Sequence, residues 1–282
     1  MHTHLAKKLY FESCCEELEI LKPGNHSTHF KTSNFHVKKF RRAAKISSEI
    51  LTTKNMSLGK SIFFSSKKCY DQLGSNYNLG IILLCAPIIK VLINGKFSNF
   101  RYELKKQLMN IEPNEGNLIL EAIKYVQPGG INNYKGFGNV NNKEKISAFY
   151  NIMLTGSRWD RISKCYIDYY SEIFDFGLPK YIKIKNQKSR KYANEFIYLN
   201  YLSNDKDSHI QRKFGGNKAS MIQKKCIFFK RKFENNKINN EKILLNFDRY
   251  LKKLHLNPGT CADLTVTTLL MDKILDIVSI SI

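Results

Sequence analysis

Asn257-Pro258-Gly259-Thr260-Cys261-Ala262-Asp263-Leu264-Thr265 sets a Pro-Gly corner against the start of a helix that carries a carboxylate. Such a corner exposes backbone N–H groups, and the helix behind it aims its positive dipole end at the same place, which suits a phosphate-rich ligand. Lys22-Pro23-Gly24-Asn25, Pro128-Gly129-Gly130 and Arg212-Lys213-Phe214-Gly215-Gly216 share the design. Four such corners in a chain that otherwise reads as helices predict one cleft built from several helix ends.

Each group of residues has a plain reading beside a chemical one. Thr260 and Asp263 have the spacing of a capping box; alternatively Asp263 holds a metal or positions a hydroxyl. Lys22 is a cation at a helix C-terminus, or a phosphate ligand. Asp205, Asp207, Ser208 and His209 precede Arg212 and Lys213. They are either the acidic first turn of a helix, or carboxylates for Mg²⁺ next to cations for phosphate. Asn76 or Asn78 caps a buried helix or reads a nucleoside, on which Tyr77 could stack. His26, His29 and His36 match no standard helical ligand spacing.

Helical periodicity supplies the frame for these residues. Helices are predicted at Leu5–Leu21, Val37–Met56, Gly59–Leu73, Leu79–Ile93, Phe100–Met109, Glu115–Val126, Lys143–Leu154, Arg158–Phe176, Ser189–Leu202, Lys218–Phe233, Glu241–Leu254 and Cys261–Val278. In Arg158–Phe176 the residues Ile162, Cys165, Tyr166, Tyr169 and Ile173 fall at steps of three and four, with Gly177 as terminator and Pro179 as a block. A brief strand at Phe176–Ile184 is the only β candidate. The class is all-α: a multi-helix bundle in one domain, residues 1–282, with the nucleotide cleft at helix ends and Pro-Gly turns.

The 282 residues carry 46 Lys+Arg against 24 Asp+Glu, a formal charge of +22. That favours polyanions, but the lysines are scattered and the Lys/Asn/Ile richness fits compositional drift. Seven cysteines without a Cys-x-x-Cys pair point to a reduced, cytoplasmic chain. The longest apolar run, Leu79 to Ile89, is too short to span a bilayer.

Taken in order, Glu19-Ile20-Leu21-Lys22-Pro23-Gly24-Asn25, Asn78-Leu79-Gly80-Ile81, Pro128-Gly129-Gly130, Asp207-Ser208-His209-Ile210-Gln211-Arg212-Lys213-Phe214-Gly215 and Asn257 to Thr265 resemble the triphosphoribosyl-dephospho-CoA synthase family. The similarity spans about residues 15 to 275. Asp160-Arg161-Ile162 and Phe176-Gly177-Leu178-Pro179 resemble the branch found in methylotrophs and methanogen-like one-carbon pathways. The resemblance implies an all-α transferase. It would move the triphosphoribosyl group of ATP to the 2′-hydroxyl of 3′-dephospho-CoA, release adenine and so make a prosthetic-group precursor.

It also implies roles. Asp263, with Asp207 second, would be base or Mg²⁺ ligand. Lys22, Arg212 and Lys213 would hold phosphates, with N–H groups from turns at Gly24, Gly130, Gly215 and Gly259. Asn25, Asn76, Asn78, Gly80, Gly129, His209, Asn257 and Thr260 complete the expected nucleotide site. The chain departs from the family pattern at Tyr77, where Thr is usual, and at Cys261, where Ser is common. It also lacks an acid shortly after His36, for which Glu16, Glu17 or Glu19 could substitute. Partners would be small molecules, without a membrane. Two other readings remain: the same ATP site with an acceptor from methanopterin-linked one-carbon metabolism, and, ranked last, a basic helical nucleic-acid-binding protein.

Overall fold

A computed structural model describes residues 2–29, 34–95, 99–141, 149–235 and 240–277. Among them are fourteen α-helices and no strand. In chain order they are α1 (His2–Leu18), α2 (Asn34–Leu51), α3 (Leu58–Leu73), α4 (Leu79–Ile93), α5 (Phe100–Met109), α6 (Pro113–Val126), α7 (Phe149–Gly156), α8 (Arg161–Ile167), α9 (Leu178–Lys185), α10 (Arg190–Asn204), α11 (Ser208–Phe214), α12 (Gly216–Asn235), α13 (Asn240–Lys253) and α14 (Gly259–Ile277). The expected starts at Lys143 and ends at Val278 lie outside the described residues.

Two helices make the centre. α4 reads LGIILLCAPIIKVLI and buries nearly every side chain, as a helix apolar on all sides must. α14 is buried along most of its length and packs against α4. The other helices surround this pair, and the buried apolar residues form one cluster from Ala6 to Ile274.

Pro87 sits inside α4 and has no N–H to give the carbonyl four residues back. That carbonyl, of Leu83, accepts instead from the Tyr166 hydroxyl at 2.8 Å, and Leu84 O accepts from the Tyr170 hydroxyl at 2.8 Å. The two tyrosines thereby tie the segment around the end of α8 to the turn of α4 that Pro87 interrupts.

This tie coincides with the largest departure from the periodicity. Arg158–Phe176 is not one helix. α8 stops at Ile167, Tyr169 and Tyr170 take left-handed φ of 54° and 64°, and a π-turn follows at Glu172–Gly177. Gly177 is not a terminator. A Cβ there would overlap the Tyr201 hydroxyl, so it allows close packing. The chain runs on into α9 with Pro179 in its first turn, where a missing N–H costs nothing. The candidate strand at Phe176–Ile184 is therefore helical.

Arg161 locks the break. Its guanidinium is buried and forks onto both Glu172 oxygens while donating to Tyr201 O at 3.1 Å. Removing one charge leaves the other buried without a partner, which costs about 3–5 kcal/mol. Glu172→Gln is expected to lower the free energy of unfolding by that amount. The double replacement Arg161→Met with Glu172→Leu is expected to recover most of it, and equilibrium denaturation measures both.

Candidate active site

A cavity of about 800 Å³ opens where α4, α6, α7, α11, α12 and α14 converge. Arg212, Lys213, His209, Gly129, Gly130, Gly215, Thr260, Asp263, Asn76 and Gly80 all line it. Ten residues singled out in the sequence are thus brought together from four separate stretches.

Asp263 lies on the second turn of α14. It is partly open to the cavity, and its carboxylate accepts no hydrogen bond among the described residues. Burial raises its pKa well above the usual range; the charges of Glu17 and Asp207 push it further, and Arg212 opposes them. Gly80, in the first turn of α4, abuts this carboxylate so closely that a Cβ would overlap Oδ2. Asn76 Oδ1 accepts from Leu79 N at 3.1 Å and so secures the start of that helix.

Thr260 and Asp263 do not form the capping box that their spacing predicts. The Thr260 hydroxyl accepts from His209 N at 3.2 Å. Asp207 supplies the cap instead. Its Oδ1 accepts from Ile210 N at 3.0 Å and its Oδ2 from Cys261 N at 2.9 Å, so one buried carboxylate joins the N-termini of α11 and α14. Asp207 does not line the cavity.

Arg212 is fixed from two sides. Nε donates to Gly129 O at 2.9 Å, and an outer nitrogen lies 3.5 Å from Asp160 Oδ1. Gly130, with φ of 82°, presses on the Arg212 carbonyl, where a Cβ would come within 2.7 Å. His209 lies against Gly129 and Gly259; a Cβ on Gly259 would approach its Nδ1 to 2.6 Å. Burial lowers the pKa of His209, and Arg212 and Lys213 add to this against Asp207. The ring is therefore neutral at pH 7. The Gly215 N–H is taken by Gln211 O, but α12 begins at Gly216, which also lines the cavity and brings a helix N-terminus to it.

The Lys22-Pro23-Gly24-Asn25 corner stands outside the lining. Lys22 is wholly buried and its ammonium is taken by Glu17. Burial lowers the Lys22 pKa, while Glu17 and Asp263 raise it. Gly24 packs against Leu256 O and Pro258, and its N–H donates to Asp248. Asn25 is buried and its Oδ1 accepts from His26 N at 2.6 Å. This corner braces the Asn257-Pro258-Gly259 corner. Asn78 donates to Ser47 Oγ at 3.0 Å, the Gly259 N–H goes to Asn257 O, and Asn257 Oδ1 is buried without a partner. None of these residues lines the cavity.

Of the three acids that could replace the one missing after His36, Glu17 is the one whose charge reaches Asp263. Glu16 pairs with Arg190 and Lys273, and Glu19 with Arg41. Tyr77 does not line the cavity; its ring packs with His36 and Phe40. Asp160, Tyr134 and Trp159 were not among the expected site residues, and all three are in the lining. An acid placed to cap α8, next to the single tryptophan, was the available signal.

The model of the family described as CitG: ATP:dephospho-CoA triphosphoribosyl transferase matches residues 4–280. The chain belongs to this family. Its activity is transfer of the triphosphoribosyl group of ATP to dephospho-CoA. A crystal structure of a candidate triphosphoribosyl-dephospho-CoA synthase from Archaeoglobus fulgidus has a similar fold. It aligns at a TM-score of 0.63 and 17% identity over 82% of this chain and 98% of that one. Among curated proteins none matches. For a CitG protein, no described helix is long and apolar enough to cross a membrane, and all seven cysteines are unpaired thiols.

Proposed function

We propose that the transfer takes place in this cavity, with Asp263 as the base for the acceptor 2′-hydroxyl. The observation that carries this is a carboxylate of raised pKa, free of hydrogen bonds, facing a fixed arginine across the cavity that the family's motif residues line. A raised pKa makes a carboxylate a stronger base.

The oxygen of the 2′-hydroxyl bonds to C1′ of the ATP ribose while the C1′–N9 bond breaks and its electron pair leaves with adenine. The hydroxyl proton passes to Asp263, the departing adenine takes a proton from solvent, and Asp263 returns its proton to solvent before the next turnover, so protons balance. The sugar passes through an oxocarbenium-like state, which the Asp263 carboxylate stabilises as it stabilises the approaching hydroxyl. Arg212, Lys213 and the N-terminus of α12 hold the triphosphate. Neutral His209 fills the space between Gly129 and Gly259 and keeps both corners in register.

Mg²⁺ fits only as an ion that arrives with ATP. Among the described residues no three His, Cys, Asp or Glu side chains gather to bind a metal, and both Asp207 oxygens serve as caps. Asp263 and Asp160 are the cavity carboxylates that would hold it. When bound, the ion would neutralise phosphate charge.

Dephospho-CoA is the acceptor we assign, because it is the acceptor of the family. Adenine release from ATP with dephospho-CoA is the direct assay. Arg212→Lys removes a forked, doubly anchored donor set that an ammonium does not reproduce. It is expected to raise KM for ATP about 10–100-fold and to leave KM for dephospho-CoA unchanged. An unchanged KM for ATP would remove Arg212 from the phosphate site.

A further inference from the structure

The cavity has an aromatic wall that the proton transfer does not use. Tyr134 and Trp159 line it with ring centroids 5.0 Å apart and planes tilted by 42°. Both rings are half-buried. Each is next in the chain to a residue tied to Arg212. Trp159 precedes Asp160, whose Oδ1 lies 3.5 Å from the guanidinium. Tyr134 follows Asn133, whose amide donates to Arg212 O at 3.2 Å. The cation and the aromatic wall are therefore held at fixed spacing by two independent links.

Tyr134 is itself fastened. Its hydroxyl donates to Phe137 O at 2.8 Å, its carbonyl accepts from Asn139 Nδ2 at 2.7 Å, and its ring fills the place where Gly136 lacks a Cβ. A ring so constrained can take a flat partner without further loss of side-chain freedom.

We propose that Tyr134 and Trp159 form the purine subsite. They hold the base of ATP beside the bond that breaks, and they retain adenine as it leaves. This rests on the reading of the cavity as the site of triphosphoribosyl transfer. The competing occupant is the acceptor, which brings an adenine of its own as well as a pantetheine arm; the split of KM between ATP and dephospho-CoA tells the two bases apart. A purine offers a π-face to aromatic side chains, a contact that is sequence-tolerant and substantial for any base. A pantetheine chain has no such face, and immobilising its many rotors costs entropy. A base held next to a phosphate-binding cation also matches the layout of one nucleotide, with the ribose between them facing Asp263.

Trp159 is the sole tryptophan of the chain, so emission excited at wavelengths the 15 tyrosines do not absorb reports on this position alone. Titration of the wild-type enzyme with adenine and with ATP is expected to change the emission saturably. Inorganic tripolyphosphate and pantetheine are expected to leave it unchanged. Trp159→Leu and Tyr134→Leu are expected to raise KM for ATP about 10–100-fold, the range of one base–aromatic stack, with KM for dephospho-CoA unaltered. The idea is overturned if pantetheine changes the emission and adenine does not, or if the two variants raise KM for dephospho-CoA alone. Product formation without any adenine response ends the subsite and leaves the proposed reaction standing. An adenine response without product formation does the reverse.

Discussion

Asp263→Asn is expected to abolish adenine release and, at neutral pH, to raise the melting temperature. The activity loss follows from removing the base, about 10²–10⁴-fold. The stability gain follows from the charges around it. Glu17, Lys22 and Asp263 place two carboxylates and one ammonium together in the interior, with Lys22 already paired to Glu17. Asparagine leaves a neutral pair.

The sign with pH is fixed by the direction of the shift. The folded-state pKa of Asp263 is raised above its unfolded value. The stability it contributes is fully present below the unfolded pKa and is lost as pH rises through the folded one. The variant should therefore gain over wild type only on the alkaline side of that window. For a chain of this size each kcal/mol relieved is about 2 °C or slightly more. In wild type, kcat/KM should climb as Asp263 deprotonates and then level off, and the variant should lose that limb. Calorimetry at two pH values with an adenine assay checks both halves.

Gly80→Ala should be nearly as damaging without replacing an ionisable group. Position 80 is in the first turn of α4, where alanine is favoured over glycine by about 1 kcal/mol. The atoms nearest the new methyl are those of the Asp263 carboxyl group, a side chain and not backbone, so the carboxylate is what must shift. Displacement by about 1 Å costs on the order of 10²-fold in rate. The expected result is an unchanged helical circular dichroism spectrum, a melting temperature at or above wild type, and kcat reduced about 100-fold. Unaltered kcat would mean that the position of the Asp263 carboxylate does not limit the reaction.

The residues that stand together in the cavity were those whose sequence context was local and stiff. Pro128-Gly129-Gly130 and Arg212 to Gly215 could be read because glycine turns next to cations mean much the same in any fold. Lys22 could not. A lysine after a helix looks like a phosphate ligand until Glu17, five residues back on α1, is seen to claim it.

Asp207 was misread for a related reason. A carboxylate before a helix was correctly taken as an acidic start, but its second oxygen reaches Cys261, and a cap shared with a helix 54 residues away leaves no trace in spacing. The break after Ile167 was hidden because Tyr166 and Tyr170 keep apolar helical periodicity while their hydroxyls serve the carbonyls that Pro87 disrupts. The aromatic wall was hidden because Tyr134 and Trp159 come from different loops, and their ring contact leaves no trace in spacing.

Mass spectrometry of the nucleotide product, after incubation with ATP, Mg²⁺ and dephospho-CoA, tests the central claim most directly. The account predicts free adenine in equal amount to a dephospho-CoA adduct that carries ribose with all three phosphates, and neither species with Asp263→Asn. Release of ADP or AMP in place of adenine, or an adduct formed undiminished by Asp263→Asn, would contradict it.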